Sequence, residues 1–297
     1  GVGNGTTIDH IQVTYAKDDA YEWFGGTVNC KYLIAYKTQD DDFDTDYGYS
    51  GNVQFGIALR DSAIADISNS EAFESDNDGN GSDFSPKTTA VFSNMTAIGP
   101  RIHPVYGKGN NLFYAGAQIR RNSGISIQNT IIAGWPRGIT IDESKVTTNG
   151  STYKNLVDST VRLKNITLAG NTVDLVYIGK SGQTTTTDDV LTIFSTPFYN
   201  NTILSSADAN IMKIIQPFNY LNPDFTPYAS AGPGTSGSLS ATYGILGLNT
   251  SLDYKINGSF ADSKLQNAFF DKTATFRGAV APSGTNQTWW KGWTIWK

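Results

Sequence analysis

Ile125-Ser126-Ile127-Gln128-Asn129-Thr130-Ile131-Ile132-Ala133-Gly134 matches Val161-Arg162-Leu163-Lys164-Asn165-Ile166-Thr167-Leu168-Ala169-Gly170 at an offset of 36 residues. The pattern recurs 35 residues earlier as Ala90-Val91-Phe92-Ser93-Asn94-Met95-Thr96-Ala97-Ile98-Gly99, and 36 residues later as Asn201-Thr202-Ile203-Leu204. A repeat of this length signals stacked supersecondary units, each too small to bury its apolar face alone. Short alternating apolar runs bounded by Gly and Asn specify strands rather than helix pairs. The fold class that follows is all-β, a right-handed parallel β-helix. An Asn at one corner of each coil can hydrogen-bond its neighbours above and below, which would make Asn94, Asn129, Asn165 and Asn201 a structural ladder.

A second repeat occupies the first third of the chain. Ala20-Tyr21-Glu22-Trp23, Asp42-Phe43-Asp44-Thr45 and Ala72-Phe73-Glu74-Ser75 each set an aromatic before an acid, and Ile141-Asp142 continues the series weakly. Alternation puts Tyr21, Phe43 and Phe73 inside and Glu22, Asp44 and Glu74 outside. Stacked strands lie about 4.8 Å apart, so such a carboxylate column needs counter-charge. Arg60 is one candidate, at the end of Val53-Gln54-Phe55-Gly56-Ile57-Ala58-Leu59, a strand expected to bury Val53, Phe55, Ile57 and Leu59. A divalent cation is the other.

The periodicity supports a β-helix over residues 1–205 and an extended cap over 206–297 that packs on it. The cap is rich in Pro, Ser and Gly and ends in Trp289-Trp290-Lys291-Gly292-Trp293-Thr294-Ile295-Trp296, four of the six tryptophans, expected to close an open end of the solenoid. The strand-like run that follows Gly1 so closely predicts further coils ahead of it. A formal net charge of −5 argues against nucleic acid as partner, since phosphate binding needs concentrated Lys and Arg. No run approaches the roughly 18 apolar residues of a membrane-spanning helix. The single cysteine, Cys30, excludes an intrachain disulfide and reads as a small buried apolar residue.

Asp18-Asp19-Ala20-Tyr21-Glu22-Trp23-Phe24-Gly25-Gly26-Thr27-Val28-Asn29, Ala133-Gly134-Trp135-Pro136 and Gly292-Trp293-Thr294 are similar to runs in a family of secreted or surface-anchored β-helix proteins from Bacteroidetes. These commonly carry lipoprotein or type IX secretion signals and are related in fold to pectate lyases. The resemblance extends over nearly the whole chain. It implies a β-helix and an extracellular or outer-surface location, and it supplies no catalytic residues.

Two acidic stretches are candidate calcium sites. In Asp76-Asn77-Asp78-Gly79-Asn80-Gly81-Ser82-Asp83, the side chains of Asp76, Asp78, Asn80 and Asp83 surround a glycine-rich turn, a donor set suited to calcium. In Asp40-Asp41-Asp42-Phe43-Asp44-Thr45-Asp46, the carboxylates of Asp42, Asp44 and Asp46 share one face of an extended strand. The alternatives are a solvated acidic turn and a carboxylate ladder capped by backbone amides and Arg60. No organic cofactor is implied. His10 and His103 lie in no nucleophile or zinc motif.

The preferred function is extracellular or cell-surface binding of glycan, or a place as subunit of a surface protein assembly. One alternative is a calcium-assisted polysaccharide lyase or glycoside hydrolase. A lyase groove would draw its base from Arg120, Arg121, Arg137 or Lys145, whereas for hydrolysis the chain has too many acids for spacing to select a pair. The other alternative is a structural adhesin or filament repeat.

Overall fold

The computed structural model describes residues 1–100, 110–146, 151–204, 214–216, 218, 220–227 and 257–297. Its first strands are β1 (Thr7–Thr14), β2 (Tyr21–Phe24), β3 (Asn29–Tyr36), β4 (Phe43–Asp46), β5 (Asn52–Leu59), β6 (Ser70–Ser75) and β7 (Val91–Ile98). They are followed by β8 (Phe113–Arg120), β9 (Ser126–Ala133), β10 (Arg137–Asp142), β11 (Arg162–Ala169), β12 (Val173–Ile178) and β13 (Thr202–Leu204). Odd-numbered strands form one parallel sheet, β1-β3-β5-β7-β9-β11-β13, and even-numbered strands a second, β2-β4-β6-β8-β10-β12. Each coil thus places one strand in each sheet, and the chain is a right-handed parallel β-helix. Ser126 pairs with Arg162 and Val91 with Ser126, which are the repeat offsets visible in the sequence. The first coils are shorter, with Thr7 opposite Asn29 and Cys30 opposite Val53.

The odd strands bend at one left-handed residue. His10, Tyr32, Phe55, Asn94, Asn129, Asn165 and Asn200 occupy equivalent positions, with φ between 50° and 64°. Asn tolerates this region better than most residues, because its short amide satisfies the local backbone. Asn200 donates to Asn165 Oδ1 (2.9 Å) and Asn165 to Asn129 Oδ1 (3.1 Å). Asn129 reaches Ser93 Oγ (3.0 Å), which in turn donates to Asn94 Oδ1 (3.1 Å). The fourth rung is therefore Asn200, not Asn201. Thr167 pairs with Thr202, an offset of 35, and Asn201 instead accepts the amide of Ile166 at 2.8 Å. In the first three coils the column is aromatic: His10 stacks on Tyr32 (4.5 Å) and Tyr32 on Phe55 (5.1 Å).

The bend reverses the inside–outside alternation. Val53 lies in the lumen with Cys30, Phe92, Ile127 and Leu163, but beyond the bend the lumen receives Ala58, Met95, Ala97, Ile132, Ile166 and Leu168. Phe55, Ile57 and Leu59 consequently point outward, which corrects the expectation that they join Val53.

That outer flank is covered by residues 257–297, so beyond the bend the strands from β3 to β11 are apolar on both faces. Trp290 packs with Ile34, Ile57, Leu59 and Ile98, while Phe260, Leu265, Phe270 and Ala274 surround Phe55 and Val91. Fully buried Arg277 donates to Ile166 O (3.0 Å), Thr167 Oγ1 (3.0 Å) and Thr202 Oγ1 (3.1 Å). At the other extreme Gln12 and Ile295 exchange two bonds of 2.8 Å. The described part of the Trp-rich segment therefore runs along the side of the solenoid, rather than across an end as the sequence suggested.

The even strands carry the aromatic–acid repeat in register. Tyr21 stacks on Phe43 at 5.5 Å and Phe43 on Phe73 at 5.4 Å, facing inward, so Glu22, Asp44 and Glu74 face outward. Ile141-Asp142 does not extend this pairing. Ile141 pairs with Ile119, and Thr140 takes the place expected of the acid.

α1 (Thr152–Val157) lies beyond β10, and α2 (Thr187–Phe194), which opens with a capping box of Thr186 and Asp189, packs on β12. Beyond the solenoid, β14 (Ile214–Gln216) pairs antiparallel with β15 (Asp224–Pro227).

Candidate functional site

Three parallel rows of chemistry-bearing residues line the outer side of the even sheet. The first is a corner row at the start of the strands, Asp19 and Asp41 just ahead of β2 and β4 and Glu71 the second residue of β6. Asp19 Oδ1 accepts the amide of Asp41 (2.9 Å), and Asp41 Oδ1 accepts the amide of Glu71 (2.7 Å), so each acid caps the next coil. The second row is Glu22, Asp44, Glu74, Gln118 and Thr140. The third begins at Phe24 and Asp46, continues through Asp76, whose amide bonds Thr45 O (3.0 Å), and ends at Arg120 and Asp142.

Burial and mutual repulsion set the protonation of these acids. Burial, reinforced by Asp19 and Asp76, pushes Asp44 up to about 8. Burial likewise raises Asp19 to about 7, Glu71 to about 7 and Asp46 to about 6. Asp41 and Glu74 are raised as well, by burial first and then by neighbouring acids. At an effective dielectric of about 20, two ionised carboxylates about 5 Å apart repel by roughly 3 kcal/mol. The cluster therefore keeps protons that isolated acids release, unless a cation intervenes.

Among the described residues, Arg120 and Arg121 bring positive charge to the second and third rows at one end, while Arg60 lowers Glu71 in the corner row. Arg120 bonds Glu74 and, through Nε, Asp76 at 3.0 Å, while Arg121 Nη1 reaches the other oxygen of Asp76 at 2.7 Å. These acids hold Arg120 firmly in its charged form, raising it beyond its already high value against the cost of burial. Arg60 does not serve the Glu22–Asp44–Glu74 row. It is fully buried and bonds Asp42 (2.9 Å) and Thr38 O (2.8 Å), so Asp42 is held at a corner away from Asp44 and Asp46. Burial raises Asp42 to about 7 in spite of that guanidinium.

The sequence-derived acidic turn is internally satisfied. Asp76 is spent on the two arginines, Asp78 accepts the amides of Asn80 (2.8 Å) and Ser82 (3.0 Å), and Asp83 accepts from Asn122 (2.8 Å). Among the described residues, carboxylate oxygens converge within 4.8 Å in three other groups: Asp18, Asp19 and Asp40; Asp19, Glu22 and Asp44; and Asp41, Glu71 and Glu74. Only Asp44 belongs to both the sequence-derived set and these groups. Asp19, Asp41 and Glu71 were missed, although each stands two residues before the repeated aromatic and was open to the same alignment.

Of the four basic residues considered for a lyase, Arg120, Arg121 and Lys145 line one small cleft with Asp142 and Ser144. Arg137 instead lies over Tyr114, 4.1 Å from the ring centroid. At the opposite end of the third row, Phe24 stacks on Tyr47 (5.4 Å), and the two are 50% and 55% exposed. No sequence pattern marked this pair, because Tyr47 follows the strand and has no partner in the repeat. His10 stacks on the odd side and His103 lies outside the described residues.

A family model described as a pectate-lyase like beta helix domain matches residues 1–210. No curated protein and no solved structure matches the chain.

Proposed function

The chain belongs to the family of pectate-lyase-like β-helix domains, and from that footing we propose that it binds an extracellular glycan along the outer side of its even sheet. The observation that carries this reading is the third row. It runs from the exposed Phe24–Tyr47 stack, past Asp46 and Asp76, to the cleft of Arg120, Arg121, Asp142 and Lys145. Four steps between stacked strands span roughly 19 Å, enough for several linked sugars. A sugar offers an apolar ring face to an aromatic and hydroxyls that both donate and accept, so an aromatic platform beside carboxylates and guanidinium groups suits it. The carboxyl groups crowded at the Phe24 end disfavour acidic sugars and so favour neutral ones there.

Elimination is less well supported. Arg120 and Arg121 are both tied to Asp76, and Arg120 is held charged, so neither is a ready proton acceptor. Hydrolysis is a second reading, favoured by Asp44 and Glu71, whose raised values leave protonated acids near neutral pH.

Calorimetry against a panel of neutral and acidic oligosaccharides, with and without chelator, tests the proposal. The expected outcome is binding of a neutral oligosaccharide that Tyr47→Ala weakens about tenfold, equivalent to about 1.4 kcal/mol. Analysis of the same mixtures for cleaved or unsaturated products decides the second reading. Absence of binding across the panel, or equal binding by Tyr47→Ala, overturns the proposed face.

A further inference from the structure

Asp44 is 8% exposed, and its Oδ1 is buried without a hydrogen-bond partner among the described residues. It faces Asp19 and Glu22, and one oxygen from each of the three carboxylates lies within 4.8 Å of the other two. A buried carboxylate oxygen without a partner is costly, and none of the described arginines is directed to it. Arg120 and Arg121 are committed to Glu74 and Asp76, and Arg60 to Asp42. The neighbouring groups differ. Asp41, Glu71 and Glu74 are served by the Glu71 amide and Arg120, and Asp18 with Asp40 lies at the more exposed rim.

We propose that Asp19, Glu22 and Asp44 hold a hard divalent cation of the calcium class, which staples the first coil to the second. The three donors are all oxygen, the chemistry of calcium rather than of softer metals. Calcium bonds of about 2.3–2.6 Å put opposite ligands up to about 5 Å apart, so the observed convergence encloses one ion and leaves room for water to complete its shell. Asp19 and Glu22 come from the corner and strand of one coil and Asp44 from the next. The ion would therefore replace the repulsion between these coils with a shared counter-charge. This site goes beyond glycan binding and needs no glycan.

Calcium chloride is titrated calorimetrically into the chelator-stripped chain with no sugar present, and melting is followed in parallel. The expected result is one ion per chain, a Kd of about 0.1–1 mM and a melting temperature several degrees higher. Asp44→Asn and Glu22→Gln should each weaken binding at least tenfold, whereas Glu71→Gln should stay within about twofold of the parent. Glu22 is exposed, so Glu22→Gln carries the test if Asp44→Asn fails to fold. An absent isotherm, or one unchanged in Glu22→Gln, overturns the site. The second outcome would mean only a diffuse ion cloud over the acidic face.

Discussion

Asn129 shows how much one side chain does at a bend. Its amide donates to Ser93 Oγ and Ser259 O, and its oxygen accepts from Asn165 and from the amide of Ser259. Asn129→Val would remove these bonds and force a β-branched residue to φ near 50°. Orphaned buried groups and backbone strain each cost about 1–3 kcal/mol, so chemical unfolding should show a loss of about 3–5 kcal/mol. Asn129→Gly, which accepts the backbone freely, should lose less. The Asn column was legible because Asn94, Asn129 and Asn165 fall at a constant place in the repeat. Its last member was misread because Asn200 and Asn201 are adjacent, and one residue less in the final connection selects the first. Phe55 gave no such sign. Nothing in a Phe announces a left-handed backbone, so the reversal of sidedness after it was hidden.

Among elements, the covering segment at 257–297 depends on a few deep anchors, of which Trp290 is the largest and Arg277 the one that donates hydrogen bonds into the solenoid. Arg277→Ala would remove the bonds donated to Ile166 O and to the hydroxyls of Thr167 and Thr202 beneath the cover. The expected outcome is faster hydrogen exchange and proteolysis confined to residues 257–297, with the β7–β11 ladder still protected. A collapse of protection throughout the solenoid would instead make the cover part of the core unit. Composition set residues 206–297 apart as a cap with a Trp-rich end. It could not say which surface the piece covers, because the apolar flank it meets is created by the reversal at the bends. The even strands were read more fully, since Tyr21, Phe43 and Phe73 keep strict alternation. Their corner acids stand two residues before the repeated aromatic, Asp19 and Asp41 ahead of β2 and β4 and Glu71 near the start of β6, and so escape a reading based on the aromatic–acid pair alone.

For the whole molecule, the two sheets divide the work. From β3 to β11 the odd sheet is largely buried on both faces, while the even sheet turns an acidic outer side toward its surroundings. This side carries a pH signature. In the folded chain Asp46 titrates at about 6, Asp19 and Glu71 at about 7 and Asp44 at about 8, all above the ordinary carboxylate range. The folded state therefore binds more protons than the unfolded chain between about pH 4 and pH 8, and stability falls as pH rises through that window. In chelator-containing buffer the melting temperature should be higher near pH 5 than near pH 8.5, and a rise over that interval would contradict the protonated cluster. Glycan binding by the same side is tested most directly by hydroxyl-radical footprinting with and without the tightest-binding oligosaccharide of the panel. Phe24 and Tyr47 should become protected, while Tyr15 and Phe198, which are also exposed, should react as before. Protection of Tyr15 or Phe198 with Phe24 and Tyr47 unchanged would contradict the assignment of this face.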